Sequence, residues 1–594
     1  MVRFPRWLTG VLIGLIVLGI VFRFVNLNHK VYWHDEVYTS LRASGYTRGE
    51  IDQALFQNHA LPIGALQQYQ QIKPGSTAMD TVRSLALEDP QHPPLYFLLT
   101  RGWMQAVGAP LTYLFKSPLS VTRSLPALLS LLALPAMYGL AWELFACPAV
   151  ALLATTLMAL SPYDVLFAQT ARQYSFLTVM VIASSFLLLR AIRLFQTAAS
   201  QSANAQRHAM RHPKTWLNWG LYALAIAIGL YTHPFFGLTI ASHVVYVVGC
   251  LVWEPRLRKQ SAAMLKLFGS AIALAVLSFS PWLVVMLVNW RRAVATTDWT
   301  QVVPGLTYFL KLWGLSFSSL FVDLDFGFDN PLTYLIRLPF LLLTGIALYT
   351  LCRRTALPTW LFVVTSIAVP FLLLALPDLI LGGKRSAVSR YLVSCYPGVQ
   401  LAVAYFLAHQ LAIKRVYSGR SRVLTNTHTS YTLRPTPHAF WQTWFWRGVL
   451  AVLVLASVTS LTMSALADSW WNKDLSYSNH QTADLLNKIP APMVISDIGD
   501  DYTNTGDLIS LSYRLRADIP LLLLQDSGFV TSQEFQTKIQ GKTAIAFRPT
   551  QSLQQVLAQR YGKLTQILAV ERLWEIPPAQ LKKIDKNKSI KKKD

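Results

Sequence analysis

Long apolar runs separated by short polar loops set the pattern of this chain. The first runs from about Trp7 to Leu27. Others follow at Ser124–Phe145, Ala149–Phe167, Phe176–Leu194, Trp216–Tyr231, Phe235–Trp253, Leu267–Asn289, Leu332–Leu351, Trp360–Leu381, Leu392–Leu411 and Val449–Leu466. A helix needs about 20 apolar residues to cross a bilayer, so the pattern predicts eleven transmembrane helices. A polar stretch from Asn28 to Gln91 separates the first two. It has helical spacing over Ile51–Gln71 and a Lys73-Pro74-Gly75-Ser76 turn. The segment Pro94–Val107 is apolar but short and carries Arg101, which predicts an interfacial or re-entrant helix.

The loops Arg190–Lys214, Arg256–Lys266, Arg353-Arg354 and Lys414–Arg447 are basic. They share a side with Arg3 and Arg6 only if Pro94–Val107 does not cross, and positive loops mark the cytoplasmic side. No small-residue cleavage site follows the first run, so an uncleaved signal anchor with a cytoplasmic N-terminus is expected. The stretch around Asp35, the turn Ser161–Tyr174, the loop Asn289–Pro331 and the loop Gly382–Arg390 then share the periplasmic face.

Beyond Ala467 the pattern changes. Met493–Ser496, Ile519–Leu524 and Thr543–Phe547 read as buried strands with helical patterns between them. The expected organisation is a membrane domain over 1–466, with 28–107 as a first periplasmic loop, and a periplasmic α/β domain over 467–580. A basic tail follows over 581–594, with seven Lys, expected to be disordered.

Composition agrees with a membrane protein. Of 594 residues, 53% are hydrophobic and 14% charged, against about 25% charged in soluble domains. The net charge of +24 sits largely in short loops, where it orients spans, so no nucleic-acid partner is implied. Cys147, Cys250, Cys352 and Cys395 have no metal or redox spacing and read as small apolar residues.

Candidate chemistry gathers on one predicted face. Tyr32-Trp33-His34-Asp35-Glu36 places two carboxylates just beyond the first span, where ionisable groups are costly and mark functional candidates. The plainer reading is a capped juxtamembrane helix. In the turn Ser161–Tyr174, Asp164, Gln169 and Arg172 lie near the membrane surface, and Asp164 could simply pair with Arg172. His233 lies between two spans, where a lone histidine is more often structural than catalytic. Arg390 opens a span beside Tyr391, with Lys384 and Arg385 upstream, and a snorkelling role would also explain it. Asp323, Asp325 and Asp329 read as a solvated loop or caps. Positive charge beside a carboxylate pair suits a lipid phosphate, and a carboxylate can serve as general base.

Taken together, the acidic pair, the His92-Pro93-Pro94-Leu95-Tyr96 run, the Ser161-Pro162…Gln169-x-x-Arg172-x-Tyr174 turn, the Tyr231-Thr232-His233 step and Arg390-Tyr391-Leu392 resemble one superfamily. It is the membrane glycosyltransferases of the GT-C fold, in the bacterial branch similar to dolichyl-phosphate-mannose protein mannosyltransferases and the lipid A aminoarabinose transferase. The resemblance covers about residues 5–412. It implies an α-helical polytopic enzyme of the inner membrane that moves a sugar from a polyprenyl-phosphate carrier to a lipid, glycan or protein acceptor, with inversion. It also implies Asp35 as general base, supported by Glu36, and Arg172 and Arg390 beside the carrier phosphate. His92, Gln169, Tyr174 and His233 would shape the pocket, with Lys384, Arg385 and Tyr391 nearby. No metal ligand set is spaced for a cofactor, although His34 and Asp35 with His29 or His92 could hold a divalent cation. The rivals are a lipid-linked-glycan flippase and an O-antigen-ligase-like polymerase. A flippase would carry its polar residues along the bundle interior. A ligase would place its large loop late in the chain.

Overall fold

The computed structural model describes residues 4–115, 117–199, 210, 212–258, 260–411, 437–499, 503–568 and 573–578. The basic tail, Arg3 and most of the Lys414–Arg447 loop lie outside the described residues. The chain forms two compact units, one of Met1–His29 with Thr81–Ala467 and one of Lys30–Asp80 with Asp468–Asp594.

The first unit is helical and belongs in a membrane. Seven helices among the described residues are long and apolar enough to cross one. They carry apolar side chains outward: Leu277 is 70% exposed and Ile380 75%, a surface that water would not tolerate over such lengths. The remaining four predicted spans appear as a 17-residue helix Arg6–Phe22 (α1), the 20-residue Pro213–Thr232, the 16-residue Tyr396–Leu411 and a pair, Pro148–Ala159 with Pro162–Ala168, bent by 56°. The bend falls where Pro162 denies the first helix a donor and Ser161 caps the second through the Asp164 amide.

The predicted Pro94–Val107 helix runs instead from Leu95 to Phe115, through Pro110. Asp323 is a departure from the solvated loop expected of it. It is buried and pairs with Arg337 at 3.1 Å, while Asp325 caps the Gly327 amide. The helix α1 packs on the bent pair through Gly19. A Cβ there would lie 2.2 Å from the carbonyl oxygen of Ala159. Arg23 closes the contact by donating to Gly19 O and Ala159 O, both at 2.7 Å.

The second unit is built on a six-stranded sheet of order β1-β3-β2-β4-β6-β5. Its strands are β1 His59–Leu61, β2 Pro492–Ser496, β3 Leu521–Leu523, β4 Thr543–Phe547, β5 Thr565–Leu568 and β6 Leu573–Glu575. The central β2 runs parallel to β3 and β4; β1 and β6 add antiparallel at β3 and β4. Met493, Ile495, Leu522 and Ala546 enter a core closed by Phe535, Leu553 and Leu557 from flanking helices.

The sequence boundary at 466 is thus crossed in space, because the first loop supplies β1. The helix expected over Ile51–Gln71 stops at Leu55. Asn58 turns the chain at φ 62°, and its side chain and amide bond to the Gln525 amide and Leu523 carbonyl. Sheet pairing overrides the local helical spacing here.

Candidate active site

In the first unit a buried cation is built on the turn after Pro162–Ala168. Arg172 is buried, and its Nη2 lies 3.3 Å from Nε2 of His92. An arginine can only donate, so His92 accepts on Nε2 and carries its proton on Nδ1. That atom lies 3.2 Å from the Gln173 side-chain amide. Turning the Gln173 carbonyl oxygen toward Nδ1–H satisfies an oxygen otherwise buried without a partner. The network therefore assigns His92 as a neutral ring that orients Arg172.

His233 stands 6.1 Å from His92, ring to ring. Its Nδ1 accepts from the Phe235 backbone N–H at 3.1 Å, so the proton of the neutral ring sits on Nε2. Burial, and then the positive charge of Arg172 and Arg390, push its pKa well below the usual histidine value. Tyr174 packs on the same ring at 5.8 Å. Aromatic contacts continue outward from His233 to Phe235 and from Phe235 to Tyr391, at 5.1 and 4.5 Å.

Three basic residues of the Gly382–Arg390 loop divide in role. The Arg390 guanidinium lies over the Trp299 ring at 5.4 Å, and Lys384 Nζ over the same ring at 5.3 Å. Both are partly exposed, and Trp299 fixes their stems by cation–π contact. Arg385 instead faces the buried Asp378 at 3.8 Å, whose other oxygen takes the Ser386 amide at 2.5 Å. Gly383 passes this carboxylate at φ 128°, where a Cβ would be 2.8 Å from Asp378 Oδ1. Gln169 is tied elsewhere: its amide donates to Phe22 O and Val25 O at 2.7 and 2.8 Å, capping the end of α1. Asp164 accepts from Gln400 at 2.8 Å.

In the second unit the acidic pair opens the helix His34–Ser44 (α2). Asp35 is partly exposed in its first turn. Glu36 points inward: its Oε2 accepts the Trp33 amide at 3.1 Å and Lys473 Nζ at 2.8 Å. Both side chains of that ion pair are sealed, at 0% and 1% exposure. Removing one partner of such a pair strands a buried charge, at about 3–5 kcal/mol. The two neighbouring acids thus differ in burial: Glu36 is sealed and Asp35 is partly exposed.

Gln173, Trp299 and Lys473 were not singled out by sequence. Gln173 had a faint signal, as the neighbour of Arg172 in a polar turn; the other two had none. Among the described residues no three His, Cys, Asp or Glu side chains gather into a group able to hold a metal ion. His29 bonds the Leu466 carbonyl and His34 faces Asp507.

No protein-family model matches the sequence, and no curated protein matches it. Solved structures do. The chain is similar to membrane glycosyltransferases of the GT-C fold. ArnT, the lipid A aminoarabinose transferase, from Cupriavidus metallidurans bound to undecaprenyl phosphate is 14% identical; the likeness covers 96% of this chain and 99% of that one at a TM-score of 0.49. The oligosaccharyltransferase AglB from Archaeoglobus fulgidus, with an inhibitory peptide and a dolichol-phosphate, is 11% identical over 96% and 74%, at 0.46. The Saccharomyces cerevisiae protein O-mannosyltransferase Pmt1-Pmt2 complex is 15% identical over 55% and 38%, at 0.28. Two of these kinds, the aminoarabinose transferase and the protein mannosyltransferase, are those named in the motif resemblance.

Proposed function

We propose that this protein is an integral-membrane glycosyltransferase that uses a polyprenyl-phosphate sugar as donor at the periplasmic face, in a bacterial inner membrane. One observation carries the reading. A buried arginine, held by a neutral histidine, shares its turn's surroundings with a second Nε2–H donor and with Arg390. Arginine with N–H donors is the chemistry of phosphate binding.

In this reading Arg172, Arg390 and Lys384 receive the carrier phosphate and stabilise the charge it gains on leaving. The His233 Nε2–H donates to the same group, and Tyr391 with Trp299 gives the sugar an aromatic wall. The role of Asp35 comes from the motif resemblance and from its exposure beside a sealed Glu36. The acceptor oxygen attacks the anomeric carbon as the bond from that carbon to the phosphate oxygen breaks. Polyprenyl phosphate leaves with the electron pair, and Asp35 takes the acceptor proton. A single displacement of this kind inverts the anomeric centre.

The test is Asp35→Asn in the purified protein, given a panel of radiolabelled undecaprenyl-phosphate sugars. Turnover is expected to vanish while undecaprenyl phosphate binding persists. Continued turnover would remove Asp35 from the chemistry.

A further inference from the structure

The segment after the last span has no part in the motif resemblance, yet its contacts give it work. We propose that Asp468 onward is a positioning frame for α2, with Lys473 and the Asp507–Arg548 pair holding the turn that bears Asp35. This rests on the reading of Asp35 as general base.

The first turn of α2 is anchored on both sides of Asp35. Glu36, just after it, is locked by Lys473 at 2.8 Å. His34, just before it, donates its amide to Ser476 Oγ at 2.9 Å, and Ser476 donates on to Asp507 Oδ1 at 2.6 Å. Arg548 closes on the other oxygen of Asp507, whose carboxylate is fully buried. The His34 ring lies against Gly506, where a Cβ would come within 2.6 Å of Nδ1. Any side chain at 506 would have to push aside the His34 and Tyr38 rings.

Where these anchors sit in the sheet explains their purpose. The chain leaves β2 for β3 on one side, then crosses to β4 on the other. The carboxyl ends of β2 and β4 therefore flank a topological switch point, the crevice in which open α/β sheets hold their ligands. Gly506 and Asp507 open the helix after β2, and Arg548 follows β4 directly. The Asn504 side chain stitches the two ends together, donating to Asp497 O at 3.0 Å and Arg548 O at 2.9 Å. The start of α2 occupies the place of a ligand. A base must be held within about 1 Å of its productive position, and losing that placement can cost about 100-fold in rate.

The test uses the full chain in detergent, undecaprenyl phosphate as binding probe and undecaprenyl-phosphate hexoses and pentoses as donors. Asp35→Asn comes first, since a variant that still turns over would sink the general-base reading itself. With Asp35→Asn inactive, Ser476→Ala and Arg548→Met should lower kcat about 10–100-fold and leave undecaprenyl phosphate affinity within about twofold. Lys473→Arg should recover most of the rate lost in Lys473→Met. If Lys473→Met does not fold, the neutral pair Glu36→Gln/Lys473→Met replaces it. Without any donor, amide exchange at residues 34–37 should rise about tenfold or more in Ser476→Ala and Arg548→Met. Wild-type kcat with unchanged exchange in these variants overturns the proposal, and so does a loss seen only in Tm.

Discussion

Lowering the pH should destabilise this protein through His233, and the size of the effect can be worked out. The folded ring is buried among Arg172, Arg390 and His92, and its Nδ1 already accepts the Phe235 amide. Protonation would lose that bond and add a charge facing others of its own sign. The unfolded histidine titrates near 6.5, so below that value the unfolded state binds a proton that the native state refuses. The stability is therefore present above the unfolded pKa and lost as pH falls through it. Between pH 7.5 and 5.5 the loss integrates to about 1.4 kcal/mol, of which about 0.4 kcal/mol appears by pH 6.5. His233→Asn keeps an acceptor for the Phe235 amide and removes the titration. Equilibrium unfolding in mixed dodecylmaltoside–SDS micelles, followed by tryptophan fluorescence, would compare the two proteins. Their stability difference should drift by that amount in favour of the variant as pH falls. A difference that stays flat from pH 7.5 to 5.5 would show that His233 takes up its proton freely when folded.

Arg172→Ala should weaken undecaprenyl phosphate binding by about 1.5–3 kcal/mol, the worth of a charged hydrogen bond, or about 10–150-fold in Kd by calorimetry. Arg390→Ala should act mainly on the same affinity; an unchanged Kd would take it out of the phosphate role. Gly19→Ala should destabilise the first unit by about 1–3 kcal/mol, because its Cβ meets backbone rather than a mobile side chain. Turnover should survive exhaustive chelation, and activity lost to EDTA and restored by Mg2+ or Mn2+ would bring a cation into the site.

Much of this architecture was legible because its signals are local. Membrane helices announce themselves by apolar length, and β2, β3 and β4 by short buried runs that match the predicted strands closely. The strand β1 was not legible. His59-Ala60-Leu61 is short and partly polar, and becomes a strand only by pairing with β3. The pairing of Glu36 with Lys473 was equally hidden, since 437 residues separate them. Adjacent Asp35 and Glu36 look alike in sequence; burial alone distinguishes them. Gln169 and Arg172 share one turn, yet one caps α1 and the other faces His92. No periodicity encodes that division, because it depends on which neighbouring helix each side chain meets.

The same long separation has a consequence for biogenesis. A ribosome adding about 5–20 residues per second needs about 20–90 s to pass from Glu36 to Lys473. Throughout that interval the nascent first loop holds an acid without its lysine and an edge segment without its neighbour in the sheet. A nascent chain arrested before Lys473 therefore cannot complete this loop. Such a product should be cleared by quality-control proteases, even when arrest comes after the last long apolar helix, which ends at Leu466, has been made.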